Sequence, residues 1–352
     1  MLVKQTQHTM KRRKPWHNYH RKGTYMLTMV VAGRQPLLGR LVMPAADAAG
    51  AYIELTHLGR AILSEEVRKI SAVFKMVEVW KLCIMPDHIH MIVRVKEDLP
   101  PGKHLGQVVA GFKGGCSRAW WRMTKPRADA RGVVAATTPS SAAPAATTSA
   151  ASAAGPVVGS AASLPPLFEA GYNDLILLDD GQLDNWKRYL DDNPRRLAIK
   201  RLHPALFTTL HFADIGEWHC QLVGNRFLLD IPQKVAVIVH GAYDDKKYAE
   251  CRERWLACGE AGGILVSAAI ATREKLVMRE AMDRGYRVIL VRDNGFPPLY
   301  KPAGESFDAC SDGRLLQVSP WEYHPQRRRI SREQCLMLNR LVEDIVRYVP
   351  QW

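Results

Sequence analysis

The stretch CIMPDHIHMIVRV, residues 83–95, places two histidines in an apolar run that is typical of a buried strand. Since alternate residues of a strand point to opposite faces, Ile89 and Met91 would line one face. His88 and His90 would then lie side by side on the other. Two imidazoles so placed suit two ligands of one divalent metal ion, but they could also be core residues or half of an active site. Asp87 is better explained as a turn residue than as a ligand.

The flanking sequence predicts a hairpin and an α+β domain around it. Residues 76–85 are rich in β-forming side chains, and Pro86-Asp87 is a turn pair, so 76–85 and 88–95 should be antiparallel strands. Apolar spacing predicts the other elements of this part: strands at 24–31 and 167–178, and helices at 54–74, 104–124 and 180–201. Gly114-Gly115 weakens the second helix. Pro194 would ordinarily end or kink the third near Asn193.

The net charge of +14 favours a polyanionic partner, either nucleic acid or an anionic membrane surface. The charge is unevenly distributed. Residues 205–352 carry 20 basic and 19 acidic side chains, whereas residues 1–204 carry 29 and 16, a net charge of +13. We therefore expect the polyanion to bind mainly to the first part of the chain.

Residues 1–22 form a basic arm with interleaved aromatic side chains. Its cations could pair with phosphates while its aromatic rings stack on bases. A solvated, disordered tail is the alternative. The candidate DNA contacts in the arm are Lys11, Arg12, Arg13 and Lys14.

Seven cysteines without a C-x-x-C pair argue against a disulfide framework and against a structural zinc site. The first residues lack the apolar segment of a secretory signal, and no run of about 18 apolar residues is present to span a membrane. We expect a cytoplasmic protein that does not act in a membrane.

Residues 133–166 contain no charged and no aromatic side chain and consist mostly of Ala, Ser, Thr, Pro and Gly. Such a stretch buries little apolar surface against the entropy cost of ordering it, so we predict a flexible insert. An Ala-rich helix is the alternative, disfavoured by Pro139, Pro144 and Pro156.

Beyond residue 205 the chain alternates between short apolar strands and helices, which is typical of a parallel α/β sheet. The expected strands lie at 234–242, 262–268, 286–295 and 314–321, and the expected helices at 244–261, 272–285 and 331–349. We predict two domains, residues 23–204 and residues 205–352.

Tyr189 and Asn193 are four residues apart on the predicted helix 180–201 and therefore share a face. A tyrosine hydroxyl can attack a phosphodiester and form a covalent phosphotyrosine. The Asn193 amide oxygen could complete the shell of a metal ion that polarises the phosphate. Taken alone, Tyr189 could equally be an ordinary surface residue of an amphipathic helix.

Three ordered motifs resemble a known family. MPDHIHMIVRV (85–95) is similar to the HUH motif of single-tyrosine transposases, in the form found in REP-associated tyrosine transposases. NWKRYLDDNPRR (185–196) resembles their catalytic helix, and FEAGYNDLIL (168–177) the strand before it. GTYMLTMVV (23–31) and LGQVVAGFKGG (105–115) also fit in order. The likeness covers roughly residues 20–204, interrupted by the insert.

The resemblance implies a ferredoxin-like sheet with helices, Mg²⁺ or Mn²⁺ as cofactor, and cleavage of single-stranded DNA near hairpins. His88 and His90 become metal ligands and Asn193 the third ligand. Tyr189 becomes the nucleophile, which leaves a 5′-phosphotyrosine and a free 3′-OH. The insert and the acidic pair Asp191-Asp192 depart from the family pattern.

Further basic residues of this domain are candidate phosphate contacts, although each taken singly could be an ordinary solvated cation. They are Lys113, Arg118, Arg122, Lys187 and Arg188.

Residues 262–300 and 313–345 resemble the Rossmann-like domain of DNA-processing (Smf/DprA) proteins. VHGAYDD (239–245) and SAAIAT (267–272) stand where glycine-rich loops would be expected. Because glycines let backbone N–H groups approach a phosphate, their loss makes nucleotide binding doubtful. A scaffold or partner-docking domain is the first interpretation. A remnant nucleotide or DNA site is the second, with Ser267, Arg292 and Asn339 as candidates.

Three functions are compatible with these features. The first is a metal-dependent, tyrosine-type DNA strand transferase that nicks and rejoins single-stranded or hairpin DNA. The second is a non-catalytic hairpin-binding regulator. The third is a relaxase or replication initiator using the same chemistry, which the Tyr-x-x-x-Asn-Pro helix following the histidines disfavours. Monomer and homodimer both remain open.

Overall fold

The computed structural model describes residues 14, 16–44, 47–124, 165–326 and 329–349. The chain divides into two compact units: Met1–Val42 with Ala51–Pro194, and Met43–Gly50 with Arg195–Trp352. The predicted insert 133–166, apart from its last two residues, and the arm cations Lys11, Arg12 and Arg13 lie outside the described residues. Among the described helices, none combines the length and apolarity needed to cross a membrane.

The first unit is built on a four-stranded antiparallel sheet in the order β4-β5-β1-β6. Its strands are β1 (Gly23–Val30), β4 (Val77–Ile84), β5 (His88–Val95) and β6 (Asn173–Ile176). The predicted hairpin is present as β4 and β5. A separate two-stranded sheet, β2 (Gly39–Val42) with β3 (Tyr52–Leu55), was not predicted.

Helices cover both faces of this sheet. One face packs against α1 (His57–Ala61), a π-helical turn (Ile62–Glu66), α2 (Val67–Val73) and α3 (Leu105–Thr124) around a large apolar core. The other face packs against the beginning of α4 (Gln182–Leu202), where Leu190 contacts the cluster formed with Met26 and Ile92. The chain order β1-α-β4-β5-α3-β6 therefore leaves His88 and His90 on the α4 side, while Ile89 and Met91 join the larger core.

Two helices continue through residues that disfavour a helix. Helix α3 runs through the glycine pair to Thr124, and Gly115 lies where an added Cβ would meet the carboxylate of the buried Glu66. Likewise α4 does not end before Pro194 but continues to Leu202. The proline costs one backbone hydrogen bond, and the buried Ala198 and Ile199 stabilise the turns that follow it.

The second unit contains a six-stranded mixed sheet in the order β7-β8-β12-β11-β10-β9. The strands β9 (Lys234–Ala236), β10 (Ile264–Ser267), β11 (Arg287–Val291) and β12 (Leu315–Ser319) are parallel, as expected. An antiparallel hairpin, β7 (Leu210–Ile215) and β8 (Trp218–Gly224), extends the sheet beyond β12 and was not predicted.

Both faces of this second sheet are buried. Helices α5 (Asp245–Glu260), α6 (Thr272–Asp283) and α7 (Glu305–Ser311) pack on one side, and α8 (Arg332–Arg347) packs on the other. Burial on both faces explains the unbroken apolar runs of the parallel strands. The protein is therefore a mixed α and β structure, with antiparallel pairing in each of the three sheets of the described residues.

Candidate active site

The two histidines of β5 lie with their inner ring nitrogens facing each other. His88 Nε2 and His90 Nε2 are 3.2 Å apart, and the ring centroids are separated by 4.7 Å. His90 is 8% exposed and His88 is partly exposed. The period-two alternation of the strand produces this juxtaposition. Two neutral imidazole nitrogens brought this close could serve as ligands of one divalent cation.

The outer ring nitrogens of both histidines are held by neighbouring side chains. His88 Nδ1 lies 2.6 Å from Asp87 Oδ1, and His90 Nδ1 lies 2.9 Å from Thr28 Oγ1 on the adjacent strand. Arg34 forms an ion pair with Asp87 at 3.1 Å. Partners on the outer nitrogens orient imidazole rings in many metal sites.

Asp87 is ionised beside the histidines. Its burial by itself would raise the pKa of the carboxyl. The hydrogen bond with His88 and the charge of Arg34 outweigh burial, so the pKa of Asp87 lies below its ordinary value. The carboxylate is therefore available as a hydrogen-bond acceptor at neutral pH.

Helix α4 brings Tyr189 to the same end of the sheet. The ring of Tyr189 lies 6.0 Å from that of His90 and 5.1 Å from that of Trp186, edge to face in both cases. The helix is held on the sheet by its apolar residues, and Lys81 of β4 forms an ion pair with Asp191 at 2.5 Å. The predicted nucleophile and the predicted metal ligands thus come together, from positions a hundred residues apart.

Asn193 lies one helical turn beyond Tyr189 and is 5% exposed. Its Nδ2 atom is buried without a hydrogen-bond partner. A buried amide normally has its polar atoms satisfied, so an orphaned one is a feature that calls for a missing partner. The amide could turn by 180° and present its oxygen in the same place.

A divalent cation fits the donor set of this site. The described residues include no group of three His, Cys, Asp or Glu side chains suited to a metal, so a third protein ligand would have to be of another type. The Asn193 amide is such a donor. Its carbonyl oxygen is of the type that Mg²⁺ or Mn²⁺ prefers, whereas imidazole nitrogens are more typical of Zn²⁺, Cu²⁺, Fe²⁺ or Ni²⁺.

The predicted phosphate contacts differ in whether they are bonded within the protein or exposed to solvent. Lys113 donates to the carbonyl oxygens of Glu169, at 2.5 Å, and Gly171, at 2.7 Å, and burial lowers its pKa. It thereby anchors the segment before β6. Lys187 pairs with Asp184 at 3.6 Å, and Arg188 donates to Asn185. The candidates that are exposed to solvent are Lys14, Arg118, Arg122 and Arg188.

The three nucleotide-site candidates of the second unit differ in burial and in hydrogen bonding. The Ser267 hydroxyl is fully buried, donates to Val237 O at 2.7 Å and accepts from Ala269 N at 3.0 Å. Arg292 is exposed just beyond β11, and Asn339 on α8 has a buried Oδ1 without a partner.

The backbone N–H groups at the ends of β9 and β10 are occupied by Glu274. Its carboxylate, 2% exposed, accepts from Val239 N at 2.8 Å, Ile270 N at 2.8 Å and Ala271 N at 3.1 Å. A bound phosphate would use N–H groups of this kind. Here a side chain of the protein already satisfies them.

Three residues of the first site were not found from the sequence: Thr28, Arg34 and Trp186. Thr28 lies opposite His90 only because β1 and β5 pair in this register. Arg34 reaches Asp87 from a loop, which no local pattern indicates. Trp186 carried a signal, since it precedes Tyr189 by three residues and therefore shares its helical face.

No family model and no curated protein sequence matches the chain. A REP-associated tyrosine transposase bound to a REP hairpin is similar at TM-score 0.28 and 11% identity, over 52% of this chain and 72% of that one. A protein described as a transposase, from Deinococcus radiodurans R1, is similar at TM-score 0.25 and 14% identity, over 52% of this chain and 97% of that one. DNA processing protein A from Helicobacter pylori, described with its single-stranded DNA binding mode, is similar at TM-score 0.29 and 19% identity. The likeness covers 39% of this chain and 65% of that one. Scores this low do not establish a common fold or function.

Proposed function

We propose that this protein is a metal-dependent DNA strand transferase that nicks and rejoins single-stranded DNA beside hairpins. The observation that carries the proposal is the convergence of Tyr189 with the facing Nε2 atoms of His88 and His90. An ordinary core would not need one buried and one partly exposed imidazole whose outer nitrogens are both held and whose inner nitrogens meet. An ordinary surface tyrosine would not need to lie against them.

The fold of each unit supports the same proposal. The β-α-β-β-α-β order of the first unit is that of a ferredoxin-like domain, the architecture expected for an HUH nuclease. The four parallel strands of the second unit support a Rossmann-like domain. In this proposal the first unit performs the chemistry and the second serves as a scaffold or docking domain.

The chemistry assigned to Tyr189 is a transesterification. Its phenolic oxygen attacks the scissile phosphorus, and the P–O3′ bond breaks as the O–P bond forms. The phenol loses its proton and the departing 3′ oxygen gains one, which leaves a 5′-phosphotyrosine and a free 3′-OH. Rejoining is the reverse reaction with a 3′-OH as nucleophile, and it needs no external energy source.

The protein's own residues position the reactants. His88, His90 and Asn193 would hold Mg²⁺ or Mn²⁺, which when bound would polarise the phosphate and stabilise its developing charge. Trp186 supports the Tyr189 ring, and the ion pair of Lys81 with Asp191 holds α4 against the sheet. The exposed cations Lys14, Arg118 and Arg122 are the first candidates for contacts with the DNA backbone.

The test is covalent capture of DNA. Full-length protein is incubated with Mn²⁺ and an end-labelled single strand that carries a hairpin, and is then denatured. We expect a denaturation-resistant adduct whose labelled peptide contains Tyr189. Tyr189→Phe should form none, whereas the matched variant Tyr52→Phe, at a half-exposed tyrosine of β3, should react as the wild type does.

Each result discriminates between the candidate functions. An adduct that Tyr189→Phe also forms would exclude this nucleophile. DNA that shifts in a gel without any wild-type adduct would favour the non-catalytic hairpin-binding protein. An adduct that forms equally well on a strand without a hairpin would contradict the preference for hairpins.

A further inference from the structure

We infer that Asp87 is a positioning residue that sets the tautomer of His88, so that the Nε2 lone pair of this ring faces His90. The inference rests on the proposed function, because it explains how the histidine pair is prepared for a cation. It also assigns a role to a carboxylate that is neither a ligand nor merely part of a turn.

The hydrogen bond between Asp87 and His88 determines where the imidazole hydrogen lies. A carboxylate at neutral pH can only accept, so the hydrogen in the 2.6 Å contact between Asp87 Oδ1 and His88 Nδ1 must be on the ring nitrogen. A neutral imidazole carries one N–H. His88 Nε2 is therefore left with a lone pair.

That lone pair is aimed at the second histidine. His88 Nε2 lies 3.2 Å from His90 Nε2, while His90 is held at its outer nitrogen by Thr28 at 2.9 Å. Both rings are thus fixed from outside, and their inner nitrogens share one small space. In the metal-free protein His90 Nε2 can donate to this lone pair when Thr28 Oγ1 donates to His90 Nδ1, and a bound cation would take the place of that hydrogen.

Asp87 is itself held in place by the loop that follows β1. Its carbonyl oxygen accepts from Val31 N at 2.9 Å, and its carboxylate pairs with Arg34 at 3.1 Å. Gly33 and Arg34 have φ values of 61° and 51°. An arginine rarely adopts this left-handed conformation, and here it places the guanidinium against the carboxylate.

The test is titration of the full-length protein with Mn²⁺ alone by calorimetry. We expect Asp87→Asn to weaken Mn²⁺ binding by about 10- to 100-fold, the usual effect of removing an outer partner of a metal-bound histidine. Asp184→Asn is the matched control, because this exposed carboxylate in the same unit pairs with Lys187 at 3.6 Å and, among the described residues, forms no hydrogen bond or ion pair with either histidine. It should bind Mn²⁺ as the wild type does. Arg34→Ala should lose less than about fivefold, since the ion pair is partly exposed.

The failure of this inference is distinguishable from failure of the proposed function. If His88→Ala abolishes Mn²⁺ binding while Asp87→Asn binds normally, the positioning role is wrong and the metal site stands. If His88→Ala binds Mn²⁺ like the wild type, both are wrong.

A second measurement needs no variant. Nitrogen-15 NMR of histidine-labelled, metal-free wild-type protein, above the titration range of histidine, should show His88 with its hydrogen on Nδ1. A hydrogen on Nε2 would overturn the inference, even if Asp87→Asn failed to fold.

Discussion

Asn193 is a residue at which stability and the proposed chemistry oppose each other. Its amide is 5% exposed, and its Nδ2 has no hydrogen-bond partner. An unsatisfied buried polar group costs about 1–3 kcal/mol of stability. A metal ion would bind the amide oxygen, which takes the place of Nδ2 if the amide is turned by 180°, so the proposed metal site would supply the missing partner.

Asn193→Leu should make the metal-free protein more stable and the metal site weaker. The near-isosteric apolar side chain removes the unsatisfied amide, so the melting transition of the first unit should rise by about 2–4 °C for about 1 kcal/mol gained. Calorimetric melting with and without Mn²⁺ measures both effects. Asn185→Leu, at an exposed position of the same helix, should change neither, and a fall in melting temperature for Asn193→Leu would contradict this role.

At the scale of the element, the start of α6 depends on a single side chain. Glu274 satisfies backbone N–H groups of both the loop after β9 and the loop after β10. The same carboxylate accepts from Ala271 N, the backbone N–H of the N-cap residue of α6. Two loops and one helix terminus are thus joined by one buried anion. This explains how the second unit keeps its strand ends ordered where its loops lack glycine.

Glu274→Ala should destabilise the second unit by at least about 3 kcal/mol, because three buried N–H groups lose a charged acceptor. Glu274→Gln, which keeps one acceptor oxygen, should cost less. Urea denaturation of the full-length protein measures both. Glu250→Ala on α5, an exposed residue paired with Lys247, is the control and should change stability by less than about 0.5 kcal/mol. A Glu274→Ala variant as stable as this control would show that the N–H groups are satisfied by other means.

At the scale of the whole molecule, most of the net positive charge lies in the part of the chain to which we assign the DNA chemistry. Residues 1–204 carry a net charge of +13, and residues 205–352 a net charge of about +1. Several basic residues of the first unit are already paired or bonded within the protein, among them Lys81, Lys96 and Lys113. The basic arm, residues 1–22, contributes seven of the 29 Lys and Arg side chains of residues 1–204 and no acidic one.

Replacing Arg12 and Arg13 together by glutamine should reduce the dependence of DNA affinity on salt. Two phosphate contacts on a single strand account for a slope of about 1.4 in log affinity against log salt concentration. Fluorescence anisotropy with a labelled hairpin strand at several salt concentrations measures the slope. The double change Lys275→Gln with Arg279→Gln, at exposed positions of α6, should leave it unaltered. Equal slopes for the two double variants would exclude the arm as a DNA contact.

The hairpin of β4 and β5, the parallel strands of the second unit and the common face of His88 and His90 were predictable from the sequence. Each depends on a local period, two residues in a strand or about 3.6 in a helix, that the order of side chains contains. The spacing of Tyr189 and Asn193 is local in the same sense. The β7-β8 hairpin and the passage of α4 through Pro194 were not predictable, because packing overrode weak or contrary local signals.

What only the tertiary structure decided is the meeting of distant segments. The pairing of β1 with β5 places Thr28 against His90, and the loop after β1 brings Arg34 to Asp87. The packing of α4 against the sheet places Tyr189 beside the histidines. These contacts depend on strand register and helix packing across the chain, which no short-range pattern of residues encodes. The sequence thus determined which side chains could take part, and the fold determined that they share one site.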